Sequence, residues 1–473
     1  MANTVKNRHP DYERLSPKWR RCSDCVDGQD SIHAGGELYL RRFTNEGDTE
    51  YNRRKKEVDF FNATFRTIAG LSGMAFARDP VVDVPAGIKD MLTDINLAGR
   101  SLDDLAKGLV EDALKYGPFG LMVDYPPMPE NVTPLTLAAA ESMGMRPSIQ
   151  YYEITSVINW RYVRLGNRTV LGMVVLKEDA NIAEGEFEHK TEARYRVLDL
   201  DETGAYRQRV FRIDAKGNDE LVEGPIYPLL NGKPLTDLPF KIVGDIDEPP
   251  LIDLVDANIK HYKVSALLDN AQLFAGAPTM VVSGYVLGEG ETINVGGEKA
   301  IVLPDPNASV SYAEFKGDSV PSLERRLLSI ERRLAVLGAR MIADETAQAE
   351  TLGATKIKRA GENSILANVV IETGKAIEWA LTLFAQWAGH PGECKYEINR
   401  EFTPNAMSAQ DLTAIFAGVQ SGNISAREAF ELLQRGDIID GAKTFEAHQD
   451  EIDAEPMPAP VAVVPAPLQE EAA

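Results

Sequence analysis

The chain has 473 residues, 44% of them apolar, enough for two or three domains with real cores. Fifty Lys and Arg stand against 72 Asp and Glu, a formal charge of −22, which excludes a protein built to grip nucleic-acid phosphates tightly over a wide surface. Cys22, Cys25 and Cys394 are too few for a disulfide scaffold, and no window approaches the roughly 18 apolar residues of a membrane-spanning helix.

The start, MANTVKNRHPDYERL, has no apolar h-region, so the chain is expected to be made and kept in a cytosol. Residues 1 to 100 read as mainly helical, with a strong helical stretch from Tyr51 to Met74 that carries Phe60, Phe61, Phe65 and Ile68. The basic run Arg53, Arg54, Lys55, Lys56 within it is expected to be a solvated face, with a local DNA or partner patch as the alternative. Cys22 and Cys25 form a CxxC, but nothing completes a zinc site or a redox motif around them, and they read as structural cysteines.

Ser101 opens SLDDLAKGLVEDALKYG, a capped helix with Leu102, Leu105, Leu109 and Leu114 on its apolar side and Gly117-Pro118 as its stop. FGLMVDYP follows as a buried-type strand. From Ser148 to Lys241 the pattern is of strands, IQYYEITSVINWRYV, TVLGMVVLKED, ARYRVLDLD, YRQRVFRID and PFKIVG, predicting a mostly antiparallel sheet.

Pro249-Pro250 begin a helix that places Leu251, Val255, Ile259, Tyr262 and Ala266 on one face and stops at Gly276 and Pro278. A short β-rich insert, Thr279 to Phe315, is joined by GEGE, VGGE and PDPN turns. PSLERRLLSIERRLAVLGARM then carries Leu323, Leu327, Ile330, Leu334, Leu337 and Met341 as a seam for a partner helix. Arg326, Arg333 and Arg340 recur every seven residues beside it, and within 321–341 none has an acidic residue three or four positions away. Their partners are water, a neighbouring chain or DNA.

A polar stretch, 342–364, leads into SILANVVIETGKAIEWALTLFAQWAG, in which Leu366, Val370, Thr373, Ile377, Leu381, Phe384 and Ala388 share a face. KYEINREF returns as a strand, Ser408 and Ser425 each start a short amphipathic helix, and five prolines make the tail an expected disordered or extended end. His261, beside Tyr262, reads as a packed or interface histidine. No phosphate loop, catalytic motif or metal-ligand spacing is complete anywhere, so no catalytic, cofactor-binding or metal residue is assigned and no cofactor is expected. Two carboxylates that work together need not be neighbours in sequence, so an acidic cytosolic enzyme with a cryptic carboxylate site stays an alternative.

The strings FFNATFRTIAGLSGMAFARDP, GPFGLMVDYPP, YYEITSVINWR, PPLIDLVDANIKHYKVSALLDNAQLFAGAPTMVVSGY and TLGATKIKRAGENSILANVV, in this order, resemble a family of tailed-bacteriophage proteins grouped as a domain of unknown function and taken to be portal proteins of the capsid vertex. The resemblance spans roughly residues 15 to 445. It implies an α+β subunit of a ring of about twelve copies. The implied parts are a wing over 1–248, stem helices at 249–276 and 321–341, a clip at 277–320 and a tunnel loop at 342–363. A long wing helix with its returning strand follows at 364–407, then a helical crown at 408–450 and the Pro-rich tail at 451–473.

The implied role is a conduit for packaging and ejecting double-stranded DNA, with DNA held weakly and non-specifically in the channel. The implied partners are further copies of the chain, the large terminase subunit, the major capsid or scaffold protein and a head-tail adaptor, with no membrane. The implied place is the virion, after assembly in the host bacterial cytoplasm. Lys356, Lys358 and Arg359 become the candidates nearest the channel constriction, and Arg326, Arg333 and Arg340 the candidates for subunit contact or channel. A head-tail adaptor is the nearer alternative.

Overall fold

The computed structural model describes residues 4–126, 145–276, 279–284, 307, 309–313, 319–340, 365–400, 402, 409–435, 438–439 and 443–454. It is a mixed α and β chain in two compact units, 1–400 and 401–473.

The first unit opens with helix α1, Pro10–Asp27, whose first turn is set by Pro10 and by the His9 ring nitrogen accepting from the Asp11 amide at 3.2 Å. Its Tyr12, Leu15 and Trp19 are buried among sheet residues, and Trp19 Nε1 donates to the Tyr116 carbonyl at 3.2 Å. One turn further on, Cys22 and Cys25 enter a second core with Ile32, Tyr39, Tyr51, Val58 and Phe60. Helix α1 thus joins a β-lined core to a helical one.

The single helix expected from Tyr51 to Met74 is two helices, α3 (Asp48–Glu57) and α4 (Ala63–Ala75), after the short α2 (Gln29–Gly35). The break has a physical cause. Val58 and Phe60 are drawn into the helical core, Val58 is extended, and Asn62 caps α4 by accepting from the Phe65 amide at 2.9 Å. Phe61 and Phe65 are 42% and 52% exposed, whereas Phe60 and Ile68 are buried. The solvated-face expectation for the basic run also fails at Arg54. That side chain is buried, forks onto both oxygens of Glu46 at 2.7 Å and lies over the Phe43 ring.

Helix α5, Leu102–Tyr116, starts as its capping pattern predicts, with Ser101 Oγ accepting from the Asp104 amide at 3.1 Å. It buries Leu102, Leu105, Leu109 and Leu114 and stops at Gly117, whose φ of 91° suits glycine. Strand β2 (Phe119–Asp124) is the centre of a three-stranded antiparallel sheet between β3 (Ser148–Glu153) and β11 (Phe240–Val243). A 3-10 turn at Ile154–Ser156 divides the expected run 149–163, so that β4 (Val157–Leu165) belongs to another sheet. That sheet is a five-stranded antiparallel meander, β4 to β8, with β5 at Arg168–Ala183, β6 at His189–Leu200, β7 at Tyr206–Ile213 and β8 at Asp219–Ile226, and the short β9 (Leu229–Leu230) and β10 (Lys233–Pro234) after it pair with each other. Strand β8, whose side chains are almost all exposed, lacks the apolar alternation by which strands are read from sequence.

Helix α6 (Ile252–Gly276), strands β12 (Thr279–Ser283) and β13 (Ser309–Ala313), and helix α7 (Val320–Arg340) follow in order. Helix α8 (Ile365–Trp387) buries Leu366, Val370, Thr373, Ile377, Leu381 and Phe384, the predicted face, against α5 and the three-stranded sheet. The return strand β14 (Lys395–Glu397) pairs with β1 (Val81–Asp83), a strand too short and exposed to be read from its residues.

In the second unit, α9 (Ala409–Gln420) is followed by α10 (Ala426–Arg435), whose predicted capping box is formed: Ser425 Oγ accepts from the Glu428 amide at 3.1 Å and Glu428 accepts from the Ser425 amide at 2.9 Å. A further helix, α11 (Phe445–Ala454), packs Phe445 and His448 on Phe430. The Pro-rich tail, 455–473, and the polar stretch 341–364 lie outside the described residues.

One buried polar side chain of α6 ties it to the start of α4. Asn258 is fully buried; its Oδ1 accepts from the Ala63 and Thr64 amides and from Thr64 Oγ1 at 3.0–3.1 Å, and its Nδ2 donates to the Phe61 carbonyl at 2.8 Å. It supplies the first turn of α4 with an acceptor from another helix. Asn258→Ala takes the buried acceptor from the Thr64 amide and hydroxyl, while the Ala63 amide keeps the Phe61 carbonyl at 2.8 Å, and is expected to lower stability by about 3 kcal/mol. A denaturant midpoint within experimental error of wild type, at unchanged m-value, would contradict this role.

Candidate functional site: a helix hairpin and its arginine faces

The β12 and β13 strands pair antiparallel from Thr279↔Ala313 to Ser283↔Ser309, which brings the end of α6 and the start of α7 to the same end of a hairpin. Halfway along, His261 Nε2 lies 3.4 Å from Glu331 Oε1, so the two helices run antiparallel and in contact. The 25 residues of α6 make it ~37 Å long at 1.5 Å per residue.

The two halves of α6 live in different surroundings. Leu251, Leu254, Val255, Asn258, Ile259, Tyr262 and Ala266 are buried, docked on the helical core around Phe60 and Tyr51. Beyond Leu268 none of the described side chains of α6 is buried, and Leu273 is 46% exposed. Helix α7 turns its predicted seam inward: Ile330 and Leu334 are buried, and Leu323, Leu327 and Leu337 are half-buried. His261 is a packed histidine, 5% exposed, with Phe61 on one side and Glu331 on the other.

Arg326 and Arg333 are exposed on α7, and among the described residues neither makes an ion pair. Arg340 is the last residue of the helix, and its side chain lies outside the described set. Lys356, Lys358 and Arg359 are outside it as well. Sequence reasoning passed over a second stripe. Arg325, Leu328, Arg332 and Val336 occupy the side of α7 opposite the seam, with Leu328 and Val336 53% and 51% exposed. The signal was present as the Glu-Arg-Arg triplet repeated seven residues apart, 324–326 and 331–333.

Beside the hairpin, a groove of about 330 Å³ runs between α3 and the lower half of α6, lined by Arg53, Arg54, Glu57, Ala266, Asp269 and Leu273 among others. Burial, then the neighbouring Asp59 and Glu57 charges, pushes the Asp269 carboxyl above its usual value. A smaller cavity of about 150 Å³ has Asp245, Asp247, Glu248 and Glu372 at its edge.

Two other places hold groups with shifted titration. Cys22 and Cys25 are buried free thiols whose burial raises both, Cys22 to about 12, so neither presents a thiolate near neutral pH. Asp112 on α5 is buried, its Oδ2 has no hydrogen-bond partner, and burial followed by the nearby Glu153 charge raises it to about 7. A perturbed carboxyl can mark an active site. Here the charges around it are those of Glu153, Lys115, Glu111 and Arg100, and its Oδ2 has no partner among the described residues. No group of three or more His, Cys, Asp or Glu suited to a metal occurs among the described residues, and no described helix is long and apolar enough to cross a membrane.

A family described as a domain of unknown function, DUF4055, matches residues 250–388, the stretch from the first turn of α6 to the end of α8. No curated protein matches the chain. Among solved structures the chain is similar to a chain of the virion of a native gene transfer agent particle, at 15% identity and a TM-score of 0.40, covering 86% of this chain and 98% of that one. It is also similar to chains in the neck of the empty particle (14% identity, TM-score 0.41, 85% and 98% covered) and in the neck of the native particle computed with C12 symmetry (14%, 0.37, 78% and 89%).

Asp112 gives a pH dependence with a definite sign. Its folded value of about 7 lies above the ordinary 3.8, so the native state binds this proton more tightly than the unfolded chain, and the cost to folding grows as pH rises from 3.8 and is complete above 7. Asp112→Asn is expected to be more stable than wild type at pH 8, on the order of a few kcal/mol, with the difference shrinking as pH falls toward 4. Urea unfolding of both proteins at pH 8 and pH 4.5 checks this; an equal difference at the two pH values would contradict it.

Proposed function

We propose that this chain is the portal subunit of a tailed-bacteriophage-like particle: a ring at one capsid vertex through which double-stranded DNA is packaged and ejected. The observation that carries the reading is the antiparallel α6–α7 hairpin, rooted in the subunit body by Asn258 and ending in the β12–β13 strand pair. It lies within the DUF4055 match, and one of the sequence strings that resemble portal proteins, 249–285, runs through α6 and β12.

On this reading 1–248 form the wing, α6 and α7 the stem, 277–320 the clip and 342–363 the tunnel loop. The α8 helix and its return strand complete the wing, and α9 to α11 contribute to a crown. Arg326, Arg333 and Arg340 make contacts between neighbouring subunits. Lys356, Lys358 and Arg359 line the constriction. An acidic chain with a few local cations suits a channel in which DNA must slide, because every neutralised phosphate adds salt-sensitive affinity that resists movement. The work of translocation falls to a separate ATPase, the large terminase subunit, and the ring's outer and lower faces meet the capsid or scaffold protein and the head-tail adaptor.

Assembly tests the reading. Light scattering at micromolar concentration is expected to give a single species at a large multiple of the 51.9 kDa chain mass. A stable monomer at every concentration would overturn it. In the same assay Arg326→Glu with Arg333→Glu is expected to reduce assembly, and an unchanged mass would remove these two arginines from the subunit contact while leaving the ring in place.

A further inference from the structure

The hairpin is electrically lopsided. Helix α7 carries five arginines against two glutamates, in a chain whose formal charge is −22. At ~100° per residue, Arg325, Leu328, Arg332 and Val336 fall on the side of α7 turned away from α6, and they form an exposed stripe of alternating cation and apolar side chain. Arg332 makes no ion pair among the described residues, and Arg325 only donates to the Pro321 carbonyl of its own helix, at 3.2 Å. A basic and apolar stripe of this kind is what a partner face with carboxylates beside a recess would cover.

The other helix of the hairpin offers such a face. Ala266, Asp269, Asn270 and Leu273 share a line on α6 turned roughly 130° from His261, the residue that meets α7. Together with α3 they make the groove described above, with Leu273 exposed and Glu57, Asp59 and Asp269 crowding one another. The cations that face it are already engaged. Arg54 is forked onto Glu46, and Arg53 approaches Glu57 only to 3.9 Å. One far side of the hairpin is therefore basic and apolar, and the opposite far side is acidic and grooved.

We propose that these two faces bind each other between copies of the chain: Arg325, flanked by Leu328, seats in the α3–α6 groove of a neighbour and meets its Glu57 and Asp269. Two different faces meeting head to tail is the heterologous geometry that closes a ring. Height agrees with this. Ring neighbours are related by rotation alone, so groups that meet must lie at one level along the axis when the hairpin runs along it. Counting from His261 opposite Glu331, Arg325 stands level with Leu267, ~3 Å from the level of Asp269, and Leu328 level with Val264, ~3 Å from Ala266 at the end of the groove, whereas Arg332 and Val336 stand level with Lys260 and Asp256, beyond it.

The contact rests on the ring reading in that its occupant is another copy, and its test separates the two. Two variants are made, R325E and E57R/D269R, all at exposed positions. Each alone sets like charges against each other in every contact and is expected to need roughly tenfold more protein to assemble than wild type. Mixed one to one, the reversed stripe of one variant meets the reversed groove of the other, and the untouched faces meet as well, so the mixture is expected to assemble at the wild-type concentration. Rescue also shows that both variants are folded. If each variant assembles like wild type, or if the mixture fails as its components do, this contact is wrong and the ring reading stands. If wild type itself never assembles, the ring reading falls and takes the contact with it.

Discussion

The architecture turns on the burial of one amide. Asn258 reaches from α6 into the start of α4, replacing with its own oxygen the acceptor that the first backbone N–H groups of α4 lack. Removing water from four polar groups is tolerable only because each finds a partner there, and the geometry that satisfies them fixes where α6 leaves the helical core. Above that point α6 is surrounded by Val58, Phe60 and Tyr51. Below Leu268 it runs on as one arm of a hairpin whose described side chains have little but α7 and the α3 groove to cover them.

A hairpin held at its root and bare along its flanks is poorly explained as a way to stabilise a lone subunit. Leu328 and Val336 on α7 and Leu273 on α6 stay half exposed, next to arginines with no ion pair among the described residues on one side and crowded carboxylates on the other. Exposed apolar area and like charges held together both cost free energy in isolation and become favourable when two such flanks meet. The proposed ring uses this imbalance: the stripe and groove join subunits, while the charge elsewhere stays acidic and leaves DNA unbound.

Much of this was legible in the sequence because helix periodicity is local. The α7 seam, the apolar face of α8 from Leu366 to Phe384, the caps at Ser101 and Ser425 and the start of α6 at Pro249-Pro250 all follow from spacing. What escaped depended on contacts distant in sequence. The break at Val58 to Asn62 arises because the helical core takes in Phe60 and Asn258 receives the α4 amides, nearly two hundred residues away. Arg54 looked solvated because Glu46 and Phe43, which bury it, come from a preceding loop. Strands β1 and β8 carry almost no apolar pattern, and only their partners define them. In the hairpin the seam was read at once, whereas Arg325 and Arg332 were passed over because the significance of a stripe depends on which side of the helix its partner leaves free.

The central claim is that the α6–α7 hairpin is a unit of ring closure around an opening. End-on electron-microscopic images of the purified protein test it most directly. The account predicts closed rings of uniform rotational symmetry with a central opening. Single globular particles at micromolar concentration, or open filaments in place of closed rings, would contradict it.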